Sequence, residues 1–354
     1  MKKALIAMSG GVDSSLAAKL MTDKGYDCIG CTMKLYGNEE IGLSRAHTCC
    51  SLDDVEDARS VANHIGIPYY VFNFTDDFQT NVIDRFVCAY EHAQTPNPCI
   101  DCNRYMKFDK LFERAKVLGC DYVVTGHYAR IEEQNGEFFL KKAVDETKDQ
   151  SYVLYSMTQE QLKHTLFPLG GMKKAEVRSL AEENGFLNAA KPDSQDICFV
   201  PDGDYGAFLE RYTGKTYAPG DFLDTKGNVL GTHQGVIRYT IGQRKGLGIA
   251  FGTPMYVKSI DVEHNTVTLA EDADLYEDTL TAADFHWISG QVPDGEIRCH
   301  AKIRYRQKEQ SATAFPLSDD QVKITFDAPQ RAITPGQAVV LYDGDTVLGG
   351  GRIL

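Results

Sequence analysis

The chain has 354 residues, 43% hydrophobic and 25% charged, enough to bury at least one full core and to divide into two or three domains. A net charge of -13, from 37 basic against 50 acidic side chains, excludes a generally polycationic surface, so a nucleic acid must find a local basic patch. No apolar run reaches the roughly 18 residues of a membrane span, the first residues run into a motif instead of a cleavage site, and ten cysteines suit a reducing compartment; a cytoplasmic location is expected.

Residues 3–8 read as a buried strand, and Leu16, Leu20 and Met21 give the next segment an apolar helical face that should stop at Gly25. Residues 28–35 predict a second strand, 53–65 a helix ended by Gly66, and 68–74 a third strand. Phe78, Val82, Phe86 and Tyr90 recur at helical spacing, as do Phe108, Leu111, Phe112 and Ala115; residues 121–124 predict a strand ending at Thr125-Gly126-His127. Short apolar runs alternating with helices predict a parallel sheet with crossover helices, an architecture that binds ligands at its strand ends. Asn135-Gly136 signals a hairpin. Beyond about residue 200, runs at 235–239, 255–261, 266–270, 322–326 and 338–342 predict antiparallel strands. The expectation is an α/β domain over 1–205, a small β-rich domain over 206–275 and a second β domain over 276–354.

Ser9-Gly10-Gly11-Val12-Asp13-Ser14-Ser15 falls between the first strand and the first helix, so backbone N–H groups and a helix N-terminus face one anion site. Two glycines let the backbone approach phosphates, and the serine hydroxyls are expected to add donors. The Gly-Lys-Ser/Thr ending of a Walker A loop is missing. Asp13 either helps hold Mg²⁺ on a pyrophosphate or caps the helix.

Cys99 and Cys102 lie in Thr95-Pro96-Asn97-Pro98-Cys99-Ile100-Asp101-Cys102-Asn103, a proline-fixed loop entering a helix, where a thiolate is stabilised. Cys198 follows the polar stretch Asp193-Ser194-Gln195-Asp196-Ile197. Cys28 and Cys31 sit in a buried strand and point to opposite faces, so they read as core, as do Cys88 and Cys120. Cys49-Cys50 beside His47 occupy a polar loop and leave a metal or redox role open.

The phosphate motif resembles the PP-loop of ATP pyrophosphatases, which cleave between the α- and β-phosphates and leave AMP on an acceptor. Taken with Thr125-Gly126-His127-Tyr128, Lys148 to Tyr152, Asp193 to Phe199, Gly242 to Gly248, Arg304 to Gln307 and Thr334 to Gln337, the whole chain resembles the tRNA-specific 2-thiouridylase (MnmA-type) family. That resemblance implies a PP-loop (adenine nucleotide α-hydrolase-like) catalytic domain, a central β domain and a C-terminal β-barrel. It implies adenylation of the C2 oxygen of the wobble uridine in tRNAs for Lys, Glu and Gln, followed by attack of sulfur brought by a donor protein, a cysteine desulfurase or relay. By position, Ala7, Met8, Ser9, Gly10, Gly11, Val12, Asp13, Ser14, Met33 and Gly126 would line the ATP site, Cys102 would be the nucleophile and Cys198 would bear the persulfide. His127, Lys148, Asp149, Gln150, Arg304, Tyr305 and Gln337 would contact tRNA, and Asn97, Pro98 and Cys99 the target base. Lys302, Arg304, Arg306 and Lys308 would line one face of a strand and form the local basic surface.

Well-known members of that family carry Asp where this chain has Cys99. Cys99, Cys102 and Cys198 therefore make a candidate three-thiol set for a [4Fe–4S] cluster with one open iron, an alternative to the persulfide. The competing functions are a PP-loop ligase or synthetase acting on a small molecule, and a non-catalytic tRNA- or metal-binding protein.

Overall fold

A computed structural model describes residues 1–37, 52–189, 191, 197–249 and 252–354. His47, Cys49, Cys50 and Asp193 to Asp196 lie outside the described residues.

The N-terminal unit is built on β1 (Lys3–Ala7), whose middle residues Ala4, Leu5 and Ile6 are fully buried because both faces of the strand are covered. Leu5 joins one core cluster with Cys31 and Met33, while Ala4 and Ile6 join the other with Cys28. Cys28 and Cys31 thus pack on opposite faces, as the period of two requires. Around β1 the chain adds α1 (Val12–Asp23), β2 (Asp27–Lys34), α2 (Leu52–Ile65), β3 (Tyr69–Asn73) and β4 (Tyr122–Val124). Gly25 and Gly66 take left-handed φ values of +79° and +76° at the ends of α1 and α2, where a side chain would be strained.

After β4 come the hairpin β5 (Ala129–Gln134) and β6 (Glu137–Lys142), then the short β7 (Thr165–Leu166). The parallel sheet runs β3-β2-β1-β4-β7. The strand order reverses between β1 and β4, so the crevice beyond their carboxyl ends is the place for a ligand. Asn135 and Gly136 both have positive φ, 54° and 85°, the turn geometry that tightens this hairpin.

Two helical stretches carry π-helical segments that the apolar spacing does not reveal. Gln79–Ile83 lies between Thr75–Phe78 and Asp84–Glu91, and Cys102–Lys110 lies between Pro98–Asp101 and Leu111–Val117. Cys88, expected in the core, is exposed on Asp84–Glu91, because Phe86, Val87 and Tyr90 occupy the buried side of that helix.

β8 (Gly220–Leu223), β9 (Val229–His233), β10 (Tyr256–Asp261) and β11 (Thr266–Ala270) form a second sheet, ordered β10-β11-β8-β9. The strand expected at 235–239 is a 3-10 turn, Val236–Arg238. Its consecutive apolar residues Val236 and Ile237 both enter one core, which an extended strand with alternating faces would not allow.

The last unit contains β12 (Tyr276–Trp287), β13 (Ile297–Lys302), β14 (Gln310–Pro316), β15 (Val322–Arg331), β16 (Ala338–Asp343) and β17 (Thr346–Ile353). Their order β12-β15-β14-β13-β16-β17 closes through β12 against β17, giving a six-stranded barrel. β6 pairs with β17, so the N-terminal hairpin extends the barrel sheet and ties the first unit to the last. Among the described residues no helix is long and apolar enough to cross a membrane.

Candidate active site

The loop after β1 is fixed by its own polar groups. Ser14 Oγ accepts from Ser9 N at 3.1 Å, and the Ser14 and Ser15 hydroxyls both donate to Gly11 O at 3.0 Å. As folded, those two hydroxyls brace the loop. Ser9, which is exposed, and the backbone N–H groups at the start of α1 are left for a ligand. Asn188, buried and distant in sequence, donates to Gly10 O at 2.8 Å and to Ser15 Oγ at 2.9 Å. Gly10 has φ +74°, and a Cβ there would lie 2.5 Å from Asp54 O, so the position is closed to any side chain.

Asp13 does not cap α1; the N-cap is Gly11 and no side chain serves it. Its Oδ1 accepts from Tyr128 Oη at 2.7 Å, and Lys174 Nζ donates to Oδ1 at 2.8 Å and Oδ2 at 2.7 Å. As folded, this carboxylate is an ion-pair partner of Lys174. Lys174 is only 8% exposed and opens the helix Lys174–Glu183, with Lys173 at the N-cap. Cations at a helix N-terminus oppose the macrodipole, which was the sequence signal that could have revealed this residue.

Gly126 packs directly on α1: an ideal Cβ would sit 2.9 Å from Asp13 C and Ser14 N. The next residue, His127, is buried; its Nδ1 lies 2.7 Å from Thr125 Oγ1 and its Nε2 3.4 Å from Lys107 Nζ. Burial first, and the Lys107 charge second, hold the imidazole well below its ordinary value of 6.5, so the ring is neutral. Met33 lies one residue before the end of β2, beside the same crevice edge, and Met8 is buried behind the loop.

The cysteine loop is clamped by the two later units. Thr95 N donates to Pro335 O at 2.9 Å, Gln337 Nε2 donates to Thr95 O at 2.7 Å, and Thr95 Oγ1 donates to Thr240 Oγ1 at 3.1 Å. Asn97 caps the following helix by accepting from Cys99 N at 3.2 Å, with Pro98 in its first turn. Cys99 is exposed, whereas Cys102 and Cys198 both pack against the core cluster under the parallel sheet, and Tyr36 Oη donates to Cys198 O at 2.8 Å. Among the described residues no three His, Cys, Asp or Glu side chains are grouped to hold a metal ion.

Of the residues expected to meet tRNA, several gather above this loop. Tyr305 is tilted against Tyr152, ring centroids 5.9 Å apart; burial, with Asp149 and Cys99 beside it, pushes its phenol up to about 12. Asp149 accepts from Ala143 N and Ser151 Oγ, and Gln150 is locked to Tyr128 by reciprocal backbone and side-chain bonds of 2.8 and 2.9 Å. Lys148 closes a turn through its N–H to Asp145 O. The expected cationic strand face does not form. β13 ends at Lys302, and residues 303–309 turn back, because Arg304 points inward to donate to Ala332 O at 2.6 Å and Thr334 Oγ1 at 3.1 Å. Lys174, Asn188 and Lys107 are polar groups of this region that the residue patterns did not single out.

Residues 2–202 match the family described as "tRNA methyl transferase HUP domain", residues 206–271 the "tRNA methyl transferase PRC-barrel domain" and residues 277–353 the "Aminomethyltransferase beta-barrel domain". The chain is 53% identical to the tRNA-specific 2-thiouridylase MnmA of Acetivibrio thermocellus, over 99% of both chains. It is 53% identical to the enzyme of the same name from Symbiobacterium thermophilum, over 99% of this chain and 92% of that one. With that of Clostridioides difficile the identity is 52%, over 99% and 98% respectively.

Proposed function

Because the chain belongs to the tRNA-specific 2-thiouridylase family, we propose that it uses ATP to replace the C2 oxygen of the wobble uridine of tRNA Lys, Glu and Gln with sulfur. The observation that carries this reading is similarity of about half of all residues to curated 2-thiouridylases from one end of the chain to the other. The family descriptions speak of methyl transfer, but a phosphate-binding loop with two cysteines on the adjoining core suits adenylation followed by sulfur transfer.

In the proposed sequence the uridine O2 attacks the α-phosphorus of ATP, pyrophosphate leaves, and the oxygen becomes part of a good leaving group. The backbone donors at the start of α1 hold the phosphates. The terminal sulfur of a Cys198 persulfide attacks C2 and AMP departs with the oxygen. The Cys102 thiolate then attacks the Cys198 sulfur, giving a disulfide and leaving the second sulfur on the base; a thiol reductant resets the pair. The sulfur donor is a persulfide-carrying protein, a cysteine desulfurase or its relay. Mg²⁺ would accompany the triphosphate, with its ligands supplied chiefly by phosphate oxygens.

The test is thiolation of a wobble-uridine tRNA by purified protein, read by retardation on a mercury gel. Cys102→Ser and Cys198→Ser are each expected to abolish thiolation, while Cys99→Ser retains it and the protein is colourless and free of iron. ATP–pyrophosphate exchange at full rate without tRNA would sink the reading in favour of a small-molecule ligase. Iron and sulfide bound in stoichiometric amount, with loss in all three variants, would replace the persulfide by a cluster.

A further inference from the structure

Five residues after Cys102, the same helix carries Lys107. Residues Cys102–Lys110 are π-helical, with hydrogen bonds running from i to i+5, so side chains five apart share a side of the helix. Helical side chains also lean towards the N-terminus, the direction in which Cys102 lies from Lys107. Its Nζ lies 3.4 Å from His127 Nε2. An ammonium can only donate, so Nε2 is the acceptor, and Nδ1 carries the ring proton and donates to Thr125 Oγ1 at 2.7 Å. The imidazole is enclosed by Phe108 and Phe167, which fixes its plane and with it the place of the ammonium.

Lys107 is half-buried, yet its orienting partner is neutral. Its neighbours on the helix are differently placed: Arg104 pairs with Asp284 and Lys110 with Asp77. Among the described residues no carboxylate pairs with Lys107. A partly desolvated cation held in one position without a counter-charge is costly in the free protein and favourable once an anion arrives. His127 also directly follows Gly126, which packs on the first turn of α1 where the phosphates would lie. The second cation of that turn, Lys174, is already neutralised by Asp13. Lys107 therefore reaches from the cysteine helix to the residue that follows Gly126, with no carboxylate paired to it among the described residues.

We propose that Lys107 is a catalytic cation that meets the α-phosphate of ATP as it is transferred to the base, on the side of the site facing Cys102. The proposal rests on the function proposed above. As the base oxygen bonds to the α-phosphorus, the bond to pyrophosphate breaks and its electron pair leaves with pyrophosphate; the base gives up its N3 proton to solvent. Lys107 transfers no proton. Its N–H groups not turned to His127 stabilise the charge on the non-bridging oxygens, and do so again when the C2–O bond breaks and AMP departs.

The experiment is single-turnover AMP formation from ATP and wobble-uridine tRNA by the wild type, Lys107→Met and Lys107→Arg, with thermal stability and tRNA affinity in the absence of ATP measured on each. Lys107→Met is expected to lower the rate at saturating ATP and tRNA by about 100-fold, with melting temperature and tRNA affinity unchanged. Lys107→Arg should recover at least about tenfold of that loss, and Lys107→Gln, equally uncharged, replaces the Met variant if the latter does not fold. An AMP rate within about threefold of wild type overturns the proposal. So does a loss confined to weaker tRNA binding, which would give the ammonium to a backbone phosphate of the tRNA. A wild type that forms AMP only on a small-molecule acceptor sinks the tRNA reading separately, and the same variants are then compared on that acceptor.

Discussion

Adding one methyl group at Gly126 should disable the site through space alone. The backbone there is not left-handed, and the Cβ of an alanine would meet Asp13 C and Ser14 N at 2.9 Å and Asp13 Cβ at 3.1 Å. Carbon contacts relax at about 3.5 Å, so the end of β4 and the first turn of α1 must part by roughly 0.6 Å. Neither side can yield as a flexible side chain would, because the loop before α1 is braced by Ser14, Ser15 and Asn188. Overpacking of this kind costs about 1–3 kcal/mol in stability. The larger effect falls on geometry, since a shift approaching 1 Å costs about 100-fold in rate. Gly126→Ala is thus expected to lower AMP formation by about 10- to 100-fold and to weaken ATP binding. Gly171 provides the control: a Cβ there has no atom within 4 Å and its φ is not left-handed, so Gly171→Ala should be silent. Isothermal titration with a non-hydrolysable ATP analogue and single-turnover AMP formation measure both. Wild-type affinity and rate in Gly126→Ala would refute the close contact between β4 and α1.

Removing Lys174 should strand the Asp13 carboxylate with Tyr128 as its remaining direct donor. Since the Asp13 side chain keeps 29% exposure, Lys174→Met is expected to cost about 2 kcal/mol, below the range for a fully buried pair. Asp13→Asn in the same chain should recover part of that cost, and additivity in denaturant melts to within about 0.5 kcal/mol would refute the coupling. Gln337→Ala removes a bond from the barrel to Thr95 O and should raise the KM for tRNA several-fold at an unchanged KM for ATP; steady-state kinetics with each substrate varied in turn decide this. His127 is held neutral in the folded state, so below about pH 6.5 the unfolded chain binds protons first and stability falls with pH. That contribution is complete above pH 6.5. His127→Asn should reduce the drop in melting temperature between about pH 6.5 and 5.5, leaving a remainder from His233 and His286, which are shifted the same way.

The strands of the parallel sheet are legible because each is a short apolar run closed by a turn residue. Gly25 and Gly66 end α1 and α2 where left-handed backbone is required. Periodicity fails where it is asked to do more than divide apolar from polar. The spacing of Phe108, Leu111, Phe112 and Ala115 identifies a helix, but cannot tell i+4 from i+5 hydrogen bonding, and so misses the π segment that begins at Cys102. Alternation from Lys302 to Lys308 imitates an exposed strand, while the inward pull of Ala332 O and Thr334 Oγ1 on Arg304 turns the chain. The hairpin at Asn135-Gly136 is plain from its turn residues. Its pairing with β17, more than 200 positions away, depends on a sheet edge that local sequence does not describe.

The site divides in the same way. Its backbone parts, the Gly-rich loop and the Pro-fixed cysteine turn, are written locally and can be read from adjacent residues. Its charges are not, because the sequence presents Lys107 and Lys174 alike, as lysines on helices with acidic residues near them. What distinguishes them is tertiary: Lys174 meets Asp13 at 2.7 Å, whereas Lys107 meets a neutral imidazole at 3.4 Å. The first cation is cancelled before any ligand arrives, and its work is to fix the first turn of α1. The second keeps its charge for an anion, and a chain of net charge -13 has particular need of such local cations if it is to gather a triphosphate and an RNA in one cleft. Exchanging the two environments, by giving Lys107 a carboxylate in place of His127, should therefore preserve the fold and remove the reaction. His127→Asp with unimpaired AMP formation would show that the uncancelled charge is not what the site uses.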